Sequence, residues 1–160
     1  MPKLVVALVI LFLWAAGRDL DALARFSITS DYYVLSLAGL GPLFFLMGGA
    51  VLLSNVSAVY FLFRPARVGI KVLYGALGLG MMQNAVTVWL ALRDLPGVRE
   101  AYARGREIRG LAVREEAMDL IFAPGGMIAA VVAMVAFYLL VAALVHKSRR
   151  YFQVDGEIAV

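Results

Sequence analysis

Three charge-free stretches, Leu43 to Phe63, Val72 to Leu92 and Gly125 to Val145, constrain this chain more than any other feature. A helix rising about 1.5 Å per residue needs about 20 apolar residues to cross roughly 30 Å of hydrocarbon, and each stretch meets that length. A surface helix of a soluble domain keeps a charged stripe toward water. These stretches carry no charge on any face. Composition agrees, with 63% of residues hydrophobic, 16% charged and a mean hydropathy of +0.87. Soluble domains sit at roughly 45–50% apolar and about 25% charged.

A fourth, shorter run, Leu4 to Gly17, spans about 21 Å as a helix. Lys3 before it and Ala15-Ala16-Gly17 at its end also fit the charged start, apolar middle and small-residue end of a secretory signal peptide. The expectation is that it is retained as a signal anchor that tilts little or thins the bilayer locally. The predicted fold is therefore an all-α integral membrane bundle of four transmembrane helices, up-down-up-down, in one domain over residues 1–160. Its spans lie near 4–19, 36–63, 68–92 and 120–146, with a polar, partly helical extracytoplasmic loop over 93–119.

Basic residues set the orientation. Lys3, then Arg64, Arg67 and Lys71, then Lys147, Arg149 and Arg150 cluster within a few positions of the spans and face only Asp155 and Glu157. On the other side, Arg18, Arg25 and the six arginines from Arg93 to Arg114 are matched by acids, among them Asp19, Asp21, Asp31 and Glu100. This balance favours both termini in the cytoplasm and an inner (plasma) membrane address. The aromatic residues Tyr60, Phe61, Phe63, Tyr151 and Phe152 on one side, and Trp14, Tyr32, Tyr33 and Trp89 on the other, form the belts expected at two interfaces. The basic excess beside apolar spans reads as anchoring to anionic headgroups and argues against nucleic acid.

Within the polar loop, Asp94-Leu95-Pro96-Gly97 reads as a turn and Val98 to Ile108 as a short helix, with Glu100 and Arg104 spaced for an i, i+4 pair. Gly110 breaks it, and Glu115 to Phe122 is expected to begin the last helix outside the bilayer. Leu95, Val98, Tyr102, Ile108 and Leu111 are placed to rest the loop on the membrane surface.

The residues exclude several chemistries. There is no cysteine, and His146 is the one histidine. Thiolate metal sites, cysteine nucleophiles, haem held by paired histidines and a Ser-His-Asp triad therefore have almost no material. No catalytic residue, metal ligand or cofactor site is predicted. Gly75, Gly78 and Gly80 sit inside an apolar helix with no preceding strand, so a nucleotide loop is rejected. No internal repeat is evident, which weakens an inverted-repeat transporter within one chain.

Two polar sets remain. Asn55, Gln83 and Asn84, with Thr87 on the same helical face as the last two, form a candidate midplane site, since amides in hydrocarbon are costly unless paired. Their alternative role is interhelical packing between the second and third spans. No Asp, Glu, Arg or Lys is expected deep in a span, which leaves a proton relay without support. In the loop, Arg104, Arg106 and Arg109 form a candidate anion site beside Glu107, Glu115, Glu116 and Asp119, where arginines can grip a phosphate and a carboxylate can act as base. Their alternative is a solvated, self-paired surface. Ala50, Ser54 and Ala58, then Ala76 and Gly80, then Gly125, Ala129 and Ala133 form small-residue stripes expected to pack the helices of one chain.

The leading functional expectation is a non-enzymatic membrane protein that binds membrane lipids or a membrane partner, as an accessory subunit of a larger complex or a homo-oligomer. The alternatives are an oligomeric channel or transporter using the midplane amides, and an enzyme acting on lipid headgroups at the outer loop.

Overall fold

The computed structural model describes residues 1–153, and it is all-helical, with no strand among the described residues. Asp155 and Glu157 lie outside the described residues. Seven α-helices follow in order: α1 (Lys3–Ala24), α2 (Ser30–Leu37), α3 (Gly41–Phe63), α4 (Gly69–Ala91), α5 (Leu95–Ile108), α6 (Glu115–Phe122) and α7 (Pro124–Lys147), with 3₁₀ turns at Phe26–Ile28 and Arg149–Phe152.

Breaks fall where local chemistry demands them. The apolar run expected to extend the second span back to residue 36 is instead a separate helix, α2. Thr29 caps its start, its Oγ1 accepting from the Tyr32 amide at 3.3 Å. Gly39 ends it in the left-handed region (φ 73°), which lets the Leu40 amide reach the Leu35 carbonyl at 2.7 Å. Pro42 then sits in the first turn of α3, where its missing N–H costs nothing. The last helix, expected to begin at Glu115 with Pro124 suiting a helix start or a kink, is likewise two helices, the second starting at Pro124. Ala123 adopts an extended conformation (φ −67°, ψ 153°), as the residue before Pro124 must, and this separates α6 from α7.

The predicted loop helix is present and begins slightly earlier than the spacing predicts, at Leu95. Asp94 caps it, Oδ1 accepting from the Gly97 amide at 3.1 Å, and Oδ2 accepts from the Tyr33 hydroxyl of α2 at 3.0 Å. The Glu100–Arg104 pair forms at 2.8 Å. Gly110 (φ 68°) closes the helix, with the Leu111 amide on the Arg106 carbonyl at 2.9 Å. Of the loop residues placed on the membrane surface, Ile108 and Leu111 are exposed, whereas Val98 is buried in the core.

The long helices α1, α3, α4 and α7 form a closed ring of contacts: α1 packs on α3, α3 on α4, α4 on α7, and α7 touches α1. One core cluster joins Val5 and Leu8 of α1, Ala58 and Leu62 of α3, Leu73 of α4 and Val145 of α7 with Phe152. The starts of α1 and α4 and the ends of α3 and α7 thus share one end of the molecule, flanked by Lys3, Arg64, Lys71 and Lys147. Tyr151 fastens this end, its hydroxyl donating to the Leu62 carbonyl at 2.9 Å. A second cluster, at the other end, joins Val34 and Leu35 of α2, Phe44, Leu90 and Val98.

Helices α3 and α7 are long and apolar enough to cross a membrane, with mean hydropathies of 1.8 and 2.8 over their most apolar stretches. Helix α4 joined to α5 makes a third such candidate, bent by 117° at the junction. Helix α1, with Lys3 at its start and Arg18, Asp19 and Asp21 near its end, is not among them. Only 11% of the most apolar stretch of α7 is buried within the chain. So large an apolar surface left uncovered calls for an apolar solvent or a partner. The stripe Gly125, Ala129 and Ala133 lies on that exposed surface and does not pack the monomer; Ala58, Ala76 and Gly80 are buried as expected, whereas Ser54 is half-buried and Ala50 exposed.

Candidate functional site: a polar cavity between α1, α3, α4 and α7

Helix α1 does not stop where its charge-free run ends. It continues to Ala24, and its buried stripe, Val5, Leu8, Phe12 and Ala16, advances by three or four residues at each step. The next position on that stripe is Asp19. Its carboxylate therefore points at α3, where Asn55 Nδ2 donates to Asp19 Oδ2 at 2.8 Å. Asn55 is buried and sits in the middle of α3. Asp19, which the sequence places at the end of the first apolar run, thus stands beside the middle of α3. An acid at the end of an apolar run reads as its boundary, but continuation of the helix carries this one inward.

Around this pair lies a cavity of about 490 Å³. Its floor is apolar, formed by Phe12, Ala76 and Leu77. Its walls carry Asn55 from α3, Gln83 and Asn84 from α4, and Tyr138 from α7, and its rim carries Thr29, Asp31, Tyr102, Arg106 and Arg109. Three of the four predicted midplane residues therefore meet in one cavity. Thr87 does not join them: it is buried, and its hydroxyl turns back to the carbonyls of Gln83 at 3.2 Å and Asn84 at 3.1 Å in its own helix. The amides do not pair α3 with α4. Asn55 binds α1, and Asn84 Nδ2 donates to the Tyr138 hydroxyl of α7 at 2.8 Å. Gln83 Oε1 is buried with no hydrogen-bond partner among the described residues. A buried acceptor left unmet costs about 1–3 kcal/mol, so this carbonyl is an open position for a donor. Gly80 makes room for the Asn84–Tyr138 pair, since a Cβ there would stand 2.8 Å from the Tyr138 hydroxyl.

The predicted arginine trio is split. Arg106 and Arg109 share one face of α5 with Tyr102, at spacings of four and seven, and reach the cavity. Arg104 lies on the opposite face, exposed and paired with Glu100. Of the four carboxylates expected beside them, Glu115 and Asp119 are held by Arg99 at 2.6 and 2.8 Å, and none of Glu107, Glu115, Glu116 and Asp119 lines the cavity. His146 stands at the other end of the molecule, exposed and 3.4 Å from Arg149. Among the described residues no group of three or more His, Cys, Asp or Glu is placed to hold a metal ion.

The charged lining consists of Arg18, Asp19, Asp21, Asp31, Arg106 and Arg109. Asp21 is occupied by Arg25 at 3.0 Å and has Arg109 at 3.8 Å. Arg106 is spent on the Ala112 carbonyl at 3.0 Å and lies 3.5 Å from the Tyr102 hydroxyl. Arg18 lies over the Trp14 ring at 5.3 Å. Burial pushes the Asp31 carboxyl above its ordinary value of 3.8, and the nearby Arg18 charge offsets only part of that. A carboxyl whose folded-state value is raised binds protons more tightly in the native state, so its contribution to stability is present in acid and is lost as pH rises from 3.8 through the raised value. Asp31→Asn should flatten this part of the profile. Melting curves in detergent across that range should show the unaltered chain losing stability, relative to the variant, as pH rises; parallel profiles would refute the burial of Asp31.

No protein-family model matches the chain, and neither a curated protein nor a solved structure matches it.

Proposed function

We propose that this chain is a non-enzymatic multi-pass membrane protein that holds the headgroup of a membrane lipid in the cavity beside Asp19 and Asn55. In this reading α1, α3, α4 and α7 are four up-down-up-down spans, with both termini at the cytoplasmic face of an inner (plasma) membrane. The basic residues flanking the Val5–Leu62–Val145 end support that orientation. The observation that carries the reading is the combination of one polar, partly charged cavity with an α7 surface that is almost wholly apolar and exposed. A volume of about 490 Å³ lies within the span of roughly 300–1,000 Å³ typical of small-ligand sites. A solute pathway shared between several copies has less support, because Asn55 and Asn84 are engaged by Asp19 and Tyr138 of their own chain. Headgroup catalysis at the outer loop has less still, because none of Glu107, Glu115, Glu116 and Asp119 lines the cavity that Arg106 and Arg109 reach.

Native mass spectrometry of the full chain from mild detergent tests the reading. The expected result is a bound phospholipid that is depleted in Gln83→Leu and Asn84→Leu variants with unchanged helicity. A chain that releases every lipid under conditions that preserve its fold would overturn it, and the same spectra report whether it is an oligomer.

A further inference from the structure

We propose, resting on the lipid-binding reading above, that the ligand is an amine-bearing zwitterionic phospholipid, with its phosphate at Arg18, its ammonium at Asp31, and an acyl chain in the groove between α4 and α7. Two independent observations meet at Arg18. The first is the groove itself. A second cavity, of about 360 Å³, is lined by Val88 of α4 and by Met127, Ala130, Val131 and Met134 of α7. It shares Arg18, Asn84 and Tyr138 with the polar cavity, so one molecule can occupy both. A polar compartment that adjoins an apolar trough beside the most exposed apolar helix suits an amphiphile, and a water-soluble headgroup would leave the trough empty.

The second observation is the balance of charge. Asp21 is neutralised by Arg25 and Arg109, and Arg106 is committed to the α5 terminus. Arg18 and Asp31 have no ion-pair partner within 4 Å among the described residues. The lining charges without an ion-pair partner are thus one cation, Arg18, and two carboxylates, Asp31 and the amide-bound Asp19, and a headgroup carrying both signs sets its phosphate against the first and its ammonium against the acids. An ammonium beside Asp31 offsets the burial that raises its carboxyl. The headgroup also brings N–H donors into the cavity that Gln83, with its unmet Oε1, helps to line. A headgroup bearing only negative charge would satisfy Arg18 and leave Asp31 facing a like charge.

The experiment compares phospholipids with identical chains on the unaltered full-length protein: phosphatidylethanolamine, phosphatidylglycerol and an N-acylated phosphatidylethanolamine that lacks the positive charge. Retention is measured by native mass spectrometry, with soluble glycerophosphoethanolamine as competitor. Phosphatidylethanolamine should be favoured on the order of tenfold over both others, the scale of one charged hydrogen-bonded contact. Asp31→Asn should reduce that preference to about twofold or less, Arg18→Gln should weaken retention of all three, and Ala130→Trp, which fills the groove, should weaken it without changing the order of preference. Equal retention of the three lipids would overturn the assignment while leaving headgroup binding intact. Efficient displacement by glycerophosphoethanolamine would remove the acyl groove from it. Failure of all three lipids to bind would sink the underlying reading as well.

Discussion

Gly105→Ala should loosen the rim of the cavity and lower the melting temperature of the protein in detergent, although the same change in an exposed helix ordinarily stabilises. Replacing a helical glycine gains up to about 1 kcal/mol from backbone entropy. Here the added methyl would stand 2.5 Å from the Ile28 carbonyl oxygen, in the turn against which α5 rests. That obstacle is backbone and cannot rotate away as a leucine side chain could, so α5 must shift. Overpacking of this kind costs about 1–3 kcal/mol, which outweighs the gain. Because Tyr102, Arg106 and Arg109 ride on α5, bound lipid should fall with stability. Gly75 supplies the control: it lies on an exposed face of α4, where an added methyl would meet nothing within 4 Å, so Gly75→Ala should melt at or above the unaltered chain. If Gly105→Ala behaves like Gly75→Ala, α5 does not dock on the Phe26–Ile28 turn.

The parts of the structure legible from sequence are those governed by solvent. Absence of charge over a helix-length run locates α3, α4 and α7 because no local effect competes with that requirement. Boundaries depend on single residues and are harder to read. Gly39 with Pro42, and Ala123 before Pro124, cut two expected helices into four, although each signal stands in plain view. The cavity is half legible. Asn55, Gln83 and Asn84 are visible as amides in apolar helices, but their partners are not, because hydrogen bonds reach across helices whose rotation a single sequence leaves free. Asp19 is the principal omission, and its heptad relation to Phe12 is the available signal. The charge itself obscures it, since an acid after an apolar run is ordinarily a boundary. Arg104 stands close to Arg106 and Arg109 in sequence, whereas two residues along a helix is just over half a turn and faces away.

Asn55→Leu should produce the other large loss, because it strands the Asp19 carboxylate against α3. The pair is a single contact of 2.8 Å between a buried amide and a half-buried acid, and no second donor to Asp19 stands among the described hydrogen bonds. Removing one partner of such a pair leaves the other without solvation, at about 1–3 kcal/mol and more for a charged group. Removing both leaves no unmet polar atom. The double variant Asp19→Leu/Asn55→Leu should therefore recover most of the stability lost in Asn55→Leu, and the cycle of single and double variants should give a coupling between the sites that neither single change predicts. Lipid retention separates structure from binding: the double variant should fold yet hold its phospholipid less well, since the polar wall has become apolar beside Gln83. Additive losses in the cycle would mean that Asp19 is solvated independently of Asn55, and with that the inward course of α1, on which the cavity depends, would be wrong.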